Sequence, residues 1–328
     1  LSRGPRPDLR LVGDVGGTNC RFALVEASGH EVRLVDPQSF KVADYPRLED
    51  AIDHYLQSRP ADRPGQAVVA VAGPVTNGEA ELTNGRWMMS ETGLERRGFC
   101  AARLINDFEA LSLAAPRLGD SDLGDIGGVK AAQPGHTVAI IGAGTGLGVG
   151  ALVRDGVGQA VAVSEGGHIA FAPTDEVEIE ILRVLGARFG RVSLERILSG
   201  PGLVNLYQAL AQIQGRAVEP LKPEDVEERS ERGDTLARET LARFCRIYGA
   251  AAGDFALAFG AAGGVYLGGG VAPKLLDTLR AGDFRKAFED KGRFSDYCAA
   301  IPTKVILHPH AALLGAAAAP LAMHAAAR

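Results

Sequence analysis

A glycine- and threonine-rich turn flanked by β-branched runs occurs twice in this chain, and it limits the possible folds more than any other feature. Residues 9–12 and 21–25 read as strands joined by Gly13-Asp14-Val15-Gly16-Gly17-Thr18-Asn19. Residues 137–141 and 149–153 read the same way, joined by Gly142-Ala143-Gly144-Thr145-Gly146-Leu147-Gly148. Apolar β-formers on both sides of a glycine turn favour a hairpin. Gly16 and Gly144 stand 128 positions apart, so the pair predicts a duplicated architecture with one hairpin per half. Such a turn exposes backbone N–H groups with no side chain in the way and can wrap anionic oxygens closely. Tight-turn geometry alone would explain one of them. Two, with a further glycine run at 268–270, exceed what hairpins require.

Between the hairpins, residues 45–57 read as a helix, 67–72 and 103–106 as strands, and a helix starts near Asp107 with Phe108, Leu111 and Ala115 on one face. After the second hairpin the pattern turns helical. Ile179, Leu182, Leu185 and Phe189 recur at three- and four-residue intervals, as do Leu241, Phe244, Ile247 and Tyr248 after Leu236. Residues 219–233 are charged and expected to face solvent, and 265–267 form a last buried strand. Alternating strands and helices over 328 residues predict an α/β protein of two related lobes.

Two phosphate-binding alternatives fail on context. Gly146-x-Gly148-x-x-Ala151 loosely fits a dinucleotide fingerprint, with Glu165 about 20 residues on. That fingerprint must open a helix, whereas Val149-Gly150-Ala151-Leu152-Val153 reads as strand. No Gly-x-x-x-x-Gly-Lys-Ser/Thr loop occurs anywhere. A formal charge of −5 argues against a non-specific nucleic-acid binder. Cys20, Cys100, Cys245 and Cys298 lie too far apart for a C-x-x-C pair, so neither a disulfide framework nor a structural zinc is expected. The first ten residues lack a signal-peptide core, and no apolar stretch approaches the roughly 20 residues needed to span a bilayer. A cytoplasmic protein without membrane partners is the expectation.

Asn106 and Asp107 fall at a strand-to-helix junction. Asn106 with Glu109 three residues on has the spacing of a capping box, although Asn replaces the usual Ser or Thr. Capping leaves Asp107 available to project from the carboxyl end of a strand, where ligands of α/β proteins bind. Phosphoryl transfer to an alcohol needs a base within reach of the hydroxyl, and Asp107 is the candidate. Ser164-Glu165-Gly166-Gly167-His168 forms a polar turn; a lone histidine is commonly structural, but the adjoining glutamate and glycines favour ligand contact. Glu195, beside Arg196, reads on spacing alone as a solvated helix face.

Taken together, 11–19, Ile105-Asn106-Asp107-Phe108, 142–148, 165–168, Glu195-Arg196-Ile197-Leu198-Ser199-Gly200-Pro201-Gly202 and 288–294 occur in the order of the bacterial glucokinase family. The chain resembles that family from about residue 9 to about residue 316. The resemblance implies the ribonuclease-H-like, actin-like ATPase fold, with a small lobe over 1–117 completed by a helix at 310–328, and a large lobe over 118–309. It implies ATP- and Mg2+-dependent phosphorylation of glucose, and a homodimer. By the same resemblance Asp107 is the base on the sugar 6-hydroxyl, while Asn106, Glu165, His168 and Glu195 hold other hydroxyls. Gly13, Asp14, Val15, Gly16, Gly17 and Thr18, with Gly144, Thr145 and Gly146, correspond to the phosphate loops. Asp14 organises magnesium through water, and Gly269 lies in the turn beside the nucleotide base. The cysteine-rich zinc motif of a wider set of kinases and repressors is missing.

A kinase for fructose, mannose or an N-acetylated sugar is the nearest alternative. A sugar-sensing repressor would carry a helix-turn-helix before the first hairpin, which here begins near residue 9. A nicotinamide dehydrogenase is the remaining alternative.

Overall fold

A computed structural model describes residues 6–26, 32–57, 63–82, 87–128, 135–217 and 220–321, with Pro7 described by its backbone only. The chain divides into two compact units, Leu1–Leu118 with His308–Arg328, and Gly119–Leu307.

The first unit contains β1 (Arg6–Val15), β2 (Asn19–Glu26), β3 (Leu34–Lys41), β4 (Pro64–Val71), β5 (Glu79–Glu81), β6 (Met88–Ser90) and β7 (Ala101–Asn106). β5 and β6 form a small ladder of their own, and the main sheet runs β3-β2-β1-β4-β7. β2 is antiparallel to β1 and β3, while β4 is parallel to β1 and β7. Strands buried on both faces need unbroken apolar sequence, and Ala67-Val68-Val69-Ala70-Val71 supplies it. On one face Leu11, Val69 and Leu104 share a core with Leu48, Ile52 and Tyr55 of α1 (Leu48–Gln57). α2 (Glu91–Arg96) starts at Ser90, whose hydroxyl accepts from Gly93 N. α3 (Asp107–Ala114) and the C-terminal helix Ala311–Ala318 pack against the same sheet and each other. Their approach depends on Gly315, because a β-carbon there would lie 1.8 Å from the Ala110 carbonyl oxygen.

The second unit contains β8 (Leu123–Gly127), β9 (Val138–Ala143), β10 (Leu147–Arg154), β11 (Gln159–Ser164), β12 (Gly264–Gly268) and β13 (Thr303–Ile306), in the order β11-β10-β9-β12-β13-β8. Its helices include α4 (Glu176–Phe189), α5 (Gly200–Ile213), α6 (Pro223–Glu231) and α7 (Thr235–Phe259). Asp234 caps α7 by accepting from Leu236 N and Ala237 N, and Gly260 ends it in the left-handed conformation at φ 61°. Leu206, Phe244, Tyr248 and Leu267 lie in one core with Ile141 and Val149.

The duplication read from the two turns is present in the topology. β3-β2-β1-β4-β7 and β11-β10-β9-β12-β13 follow the same succession of antiparallel and parallel neighbours. The glycines of the second turn lead into strand β10, as the context test against a dinucleotide fingerprint required.

Some boundaries differ from expectation. The helix expected from residue 45 begins at Leu48, because residues 42–44 form a 3-10 turn and Tyr45 is extended at φ −128°. The C-terminal helix ends at Ala318; Ala319, which precedes Pro320, is extended, as steric conflict with a following proline ring favours. Residues 322–328 of the expected 310–328 lie outside the described residues. Within 219–233, α6 buries only Val226, and Glu219 lies outside the described residues. No described helix is long and apolar enough to cross a membrane.

Candidate active site

In the first unit the carboxyl ends of three parallel strands fall level. Val15 of β1 pairs with Val71 of β4, which pairs with Asn106 of β7. The first glycine turn therefore leaves the sheet beside the junction that carries Asp107. Gly16 N donates to Asn19 O at 2.9 Å, closing the turn with Thr18 exposed at its tip. Gly13 sits within β1, where an added β-carbon would press on Val69 at 3.0 Å.

Asn106 caps α3 as its spacing indicates. Its Oδ1 accepts from Phe108 N at 2.8 Å and Glu109 N at 3.3 Å, and its Nδ2 donates to Gly73 O at 2.9 Å. An asparagine amide offers two acceptor sites and two donor hydrogens, so one N–H remains for a ligand. Asn106 can donate to a ligand oxygen but has no acceptor site to spare. The neighbouring Asp107 occupies the first position of α3 with Oδ1 accepting from Phe108 N at 3.0 Å. Glu109 completes the local set by pairing with Arg103 at 2.7 Å.

Asp14 is the acid at the end of β1. Its Oδ2 accepts from Arg21 Nη1 at 2.9 Å. Burial pushes its carboxyl above the ordinary value, opposed by the charges of Arg21 and His310. Arg21 had no place in the sequence reading, yet the hairpin register Asp14↔Arg21 follows from counting outward from the turn. His310 was missed as well. Its Nδ1 is buried without a hydrogen-bond partner among the described residues, and its pKa is lowered by burial, then by His308 and Arg21.

The second unit carries seven sequence candidates: Gly144, Thr145, Gly146, Glu165, His168, Glu195 and Gly269. Gly144 N donates to Gly146 O, and Gly144 O accepts from Gly200 N at the start of α5, both at 2.8 Å. Thr145 is exposed at this tip, as Thr18 is at the other. The Glu165-Gly166-Gly167-His168 turn packs against the start of β10, where a β-carbon on Gly167 would lie 1.9 Å from Leu147 O. His168 Nε2 stands 3.8 Å from Glu165 Oε2, and its Nδ1 stands 4.0 Å from Glu195 Oε1. The ring is 57% exposed, so His168 is not a packed structural histidine. Gly269, at φ 79°, closes against Ala143, whose carbonyl oxygen would be 2.3 Å from an added β-carbon.

Glu195 departs from the solvated-face expectation. It belongs to a 3-10 turn, Leu194–Arg196, and its Oε2 accepts from Leu147 N at 3.0 Å. Arg196 lies over the Phe189 ring at 4.5 Å instead of pairing with it. The partner of Glu195 is 48 positions away in sequence, beyond the reach of a helical-spacing argument.

Two mixed sheets of matching strand order, each with a glycine turn on its first hairpin, give the fold of the actin-like ATPase class. The glucokinase family model matches residues 11–323. A glucokinase of Caulobacter sp. (strain K31) is 53% identical over 312 residues, covering 95% of this chain and 94% of its own. The crystal structure of a glucokinase from an Antarctic psychrotroph superposes with a TM-score of 0.89 at 36% identity, covering 95% of this chain and 98% of that one. A ROK family glucokinase from Streptomyces griseus, solved in complex with glucose and AMPPNP, shares the fold at a TM-score of 0.61 and 22% identity, covering 94% and 98%. The chain belongs to the glucokinase family, and it is an ATP-using hexose kinase.

Proposed function

We propose that the chain transfers the γ-phosphoryl group of ATP to the 6-hydroxyl of D-glucose, with Asp107 as the general base. The supporting observation is the placement of Asp107, first residue of α3 at the carboxyl end of β7, level with the glycine turn that ends β1. In a loose phosphoryl-transfer transition state the protein contributes mainly position and charge. Asp107 accepts the hydroxyl proton as the oxygen bonds to phosphorus, and ADP leaves. Asn106 donates its remaining N–H to a sugar oxygen. Glu165, His168 and Glu195 receive further hydroxyls, each hydrogen bond to a charged group contributing about 1.5–3 kcal/mol. The backbone of 13–18 and 144–146 cradles the phosphates, and the turn at Gly269 adjoins the base.

Asp14 fits Mg2+ delivered with the nucleotide. Among the described residues no group of three or more His, Cys, Asp or Glu could hold a metal. Magnesium commonly takes one or two carboxylates, waters and substrate phosphates in place of an all-protein cage. When bound it neutralises charge on the phosphate oxygens. A partly buried carboxylate such as Asp14 would help hold that ion by accepting hydrogen bonds from its waters. Homodimerisation and a cytoplasmic setting belong to this reading, and light scattering and cell fractionation check them.

Asp107→Asn is expected to lower kcat by about 100-fold or more, the scale of a lost general base, with glucose affinity changed far less. Turnover near the wild-type level would remove Asp107 from this role. A panel of hexoses in an ATP-coupled assay tests the substrate; turnover of fructose, mannose or an N-acetylated sugar without turnover of glucose would reassign it.

A further inference from the structure

Gly146 lies in the second phosphate turn, but its geometry ties it to a residue of the sugar set. A β-carbon built on Gly146 would sit 2.5 Å from Glu195 Oε2 and 3.4 Å from its carboxyl carbon. That same Oε2 accepts from Leu147 N at 3.0 Å. The carboxylate therefore occupies the volume a side chain at 146 would fill, and the next amide in the turn holds it there. Its other oxygen, Oε1, is directed toward the neighbourhood of His168, 4.0 Å from Nδ1. The backbone supports this arrangement on both sides. Leu194 N donates to Ile169 O and Phe171 N to Val192 O, fastening the segment of Glu195 to the segment that follows His168.

We infer that Gly146 is a sugar-affinity determinant: its missing side chain lets the Leu147 amide lock Glu195, and this lock couples sugar binding to nucleotide binding. This rests on the reading of Glu195 as a sugar ligand. A carboxylate that gives one oxygen to a sugar hydroxyl and the other to the turn transmits occupancy in both directions, because binding free energies coupled through one contact are reciprocal. Glucose at Glu195 firms the turn that receives phosphate, and phosphate on the turn fixes the carboxylate that receives glucose.

Gly146→Ala is a mild probe of the lock, because the displaced atom is the end of a flexible side chain. Gly144→Ala is its comparison, since nothing lies within 4 Å of a β-carbon there. We expect Gly146→Ala to melt close to the wild type and to raise KM for glucose about tenfold or more. Glucose binding, titrated calorimetrically with and without AMPPNP, should show mutual enhancement of about 5- to 150-fold in the wild type and close to none in Gly146→Ala. Gly144→Ala should act on ATP and leave glucose KM within about twofold of the wild type. Should Gly146→Ala fail to fold, Glu195→Asp, one methylene too short to reach both partners, must abolish the enhancement in its place. Glu195→Gln separates the two layers of the argument. An unchanged glucose KM in Glu195→Gln would remove Glu195 from the sugar set altogether. A raised KM there, with an unchanged KM and intact enhancement in Gly146→Ala, would leave the sugar ligand standing and overturn the lock.

Discussion

Asp14 carries its charge where water solvates it poorly. Burial holds the folded carboxyl above its ordinary pKa, and Arg21 and His310 only partly offset this. An acid with a raised folded pKa favours folding below its unfolded pKa, and that contribution disappears as pH rises to the folded value. Wherever it is ionised, the group is therefore a net cost to stability. Asp14→Asn should melt no lower than the wild type at pH 7, with its relative advantage shrinking toward pH 4. Its activity should fall by about 10- to 100-fold, as for residues acting on a metal through an intermediary; thermal denaturation and ATP-dependent rates measure both. At this scale, legibility followed sequence distance. Asn106 was readable as a cap because its partners, Phe108 and Glu109, are two and three residues on. The partner of Glu195 is the amide of Leu147, and a contact between remote segments leaves no periodic trace.

α4 and α7 are joined by ionic contacts that neither helix shows in its own sequence pattern. Arg243 of α7 hydrogen-bonds Asp175, the N-cap of α4, and lies 3.1 Å from Glu178, whose side chain is 1% exposed. Glu178 also accepts from Thr174 N at 2.8 Å and Thr174 Oγ1 at 2.9 Å. Burial alone would raise the pKa of Asp175, but Arg243 and the Glu178 amide outweigh it and the net shift is downward. Breaking a buried pair from one side strands the remaining charge. Here Arg246 Nε stays 3.4 Å from Glu178 and 3.5 Å from Asp175, so Arg243→Met should cost only the lost charge-assisted hydrogen bonds, about 1.5–3 kcal/mol in urea denaturation. Asp175's share of the stabilisation is present above its unfolded pKa and lost as pH falls through the lower folded value, so the wild type and the variant should converge in acid. Elements with strong apolar periodicity, such as α7 and β4, were legible in outline. β3 was not, because Asp36 and Pro37 interrupt its apolar pattern and much of it is exposed. Its place in the sheet comes from pairing with β2.

For the whole molecule, the repeated strand order was foreshadowed by the two turns, since each turn marks the first hairpin of its sheet. The extra strand β8 was not, as Leu123–Gly127 is short and alternates with glycine. Glucose at about 100 times its Kd should stabilise the chain by about 2.7 kcal/mol, a rise of roughly 4 °C in Tm for a protein of this size. Calorimetry with and without glucose measures the shift, and an unmoved Tm at that concentration would leave the sugar without a site on this chain.

The first unit is assembled from segments on either side of the 119–307 unit. Arg10 Nη1 donates to Ala317 O at 2.8 Å, Arg103 Nη1 donates to Pro320 O at 2.6 Å, and Gly315 rests on Ala110. During synthesis, the strands of this unit must wait until the 119–307 segment has been made before they acquire the helix at 311–318 that covers them. The interposed 119–307 unit meets no such delay. Biosynthetic order is thereby reversed, with the later-made segment able to mature before the one that preceded it, and until residues 311–318 emerge the sheet of the first unit keeps an apolar flank open to a chaperone.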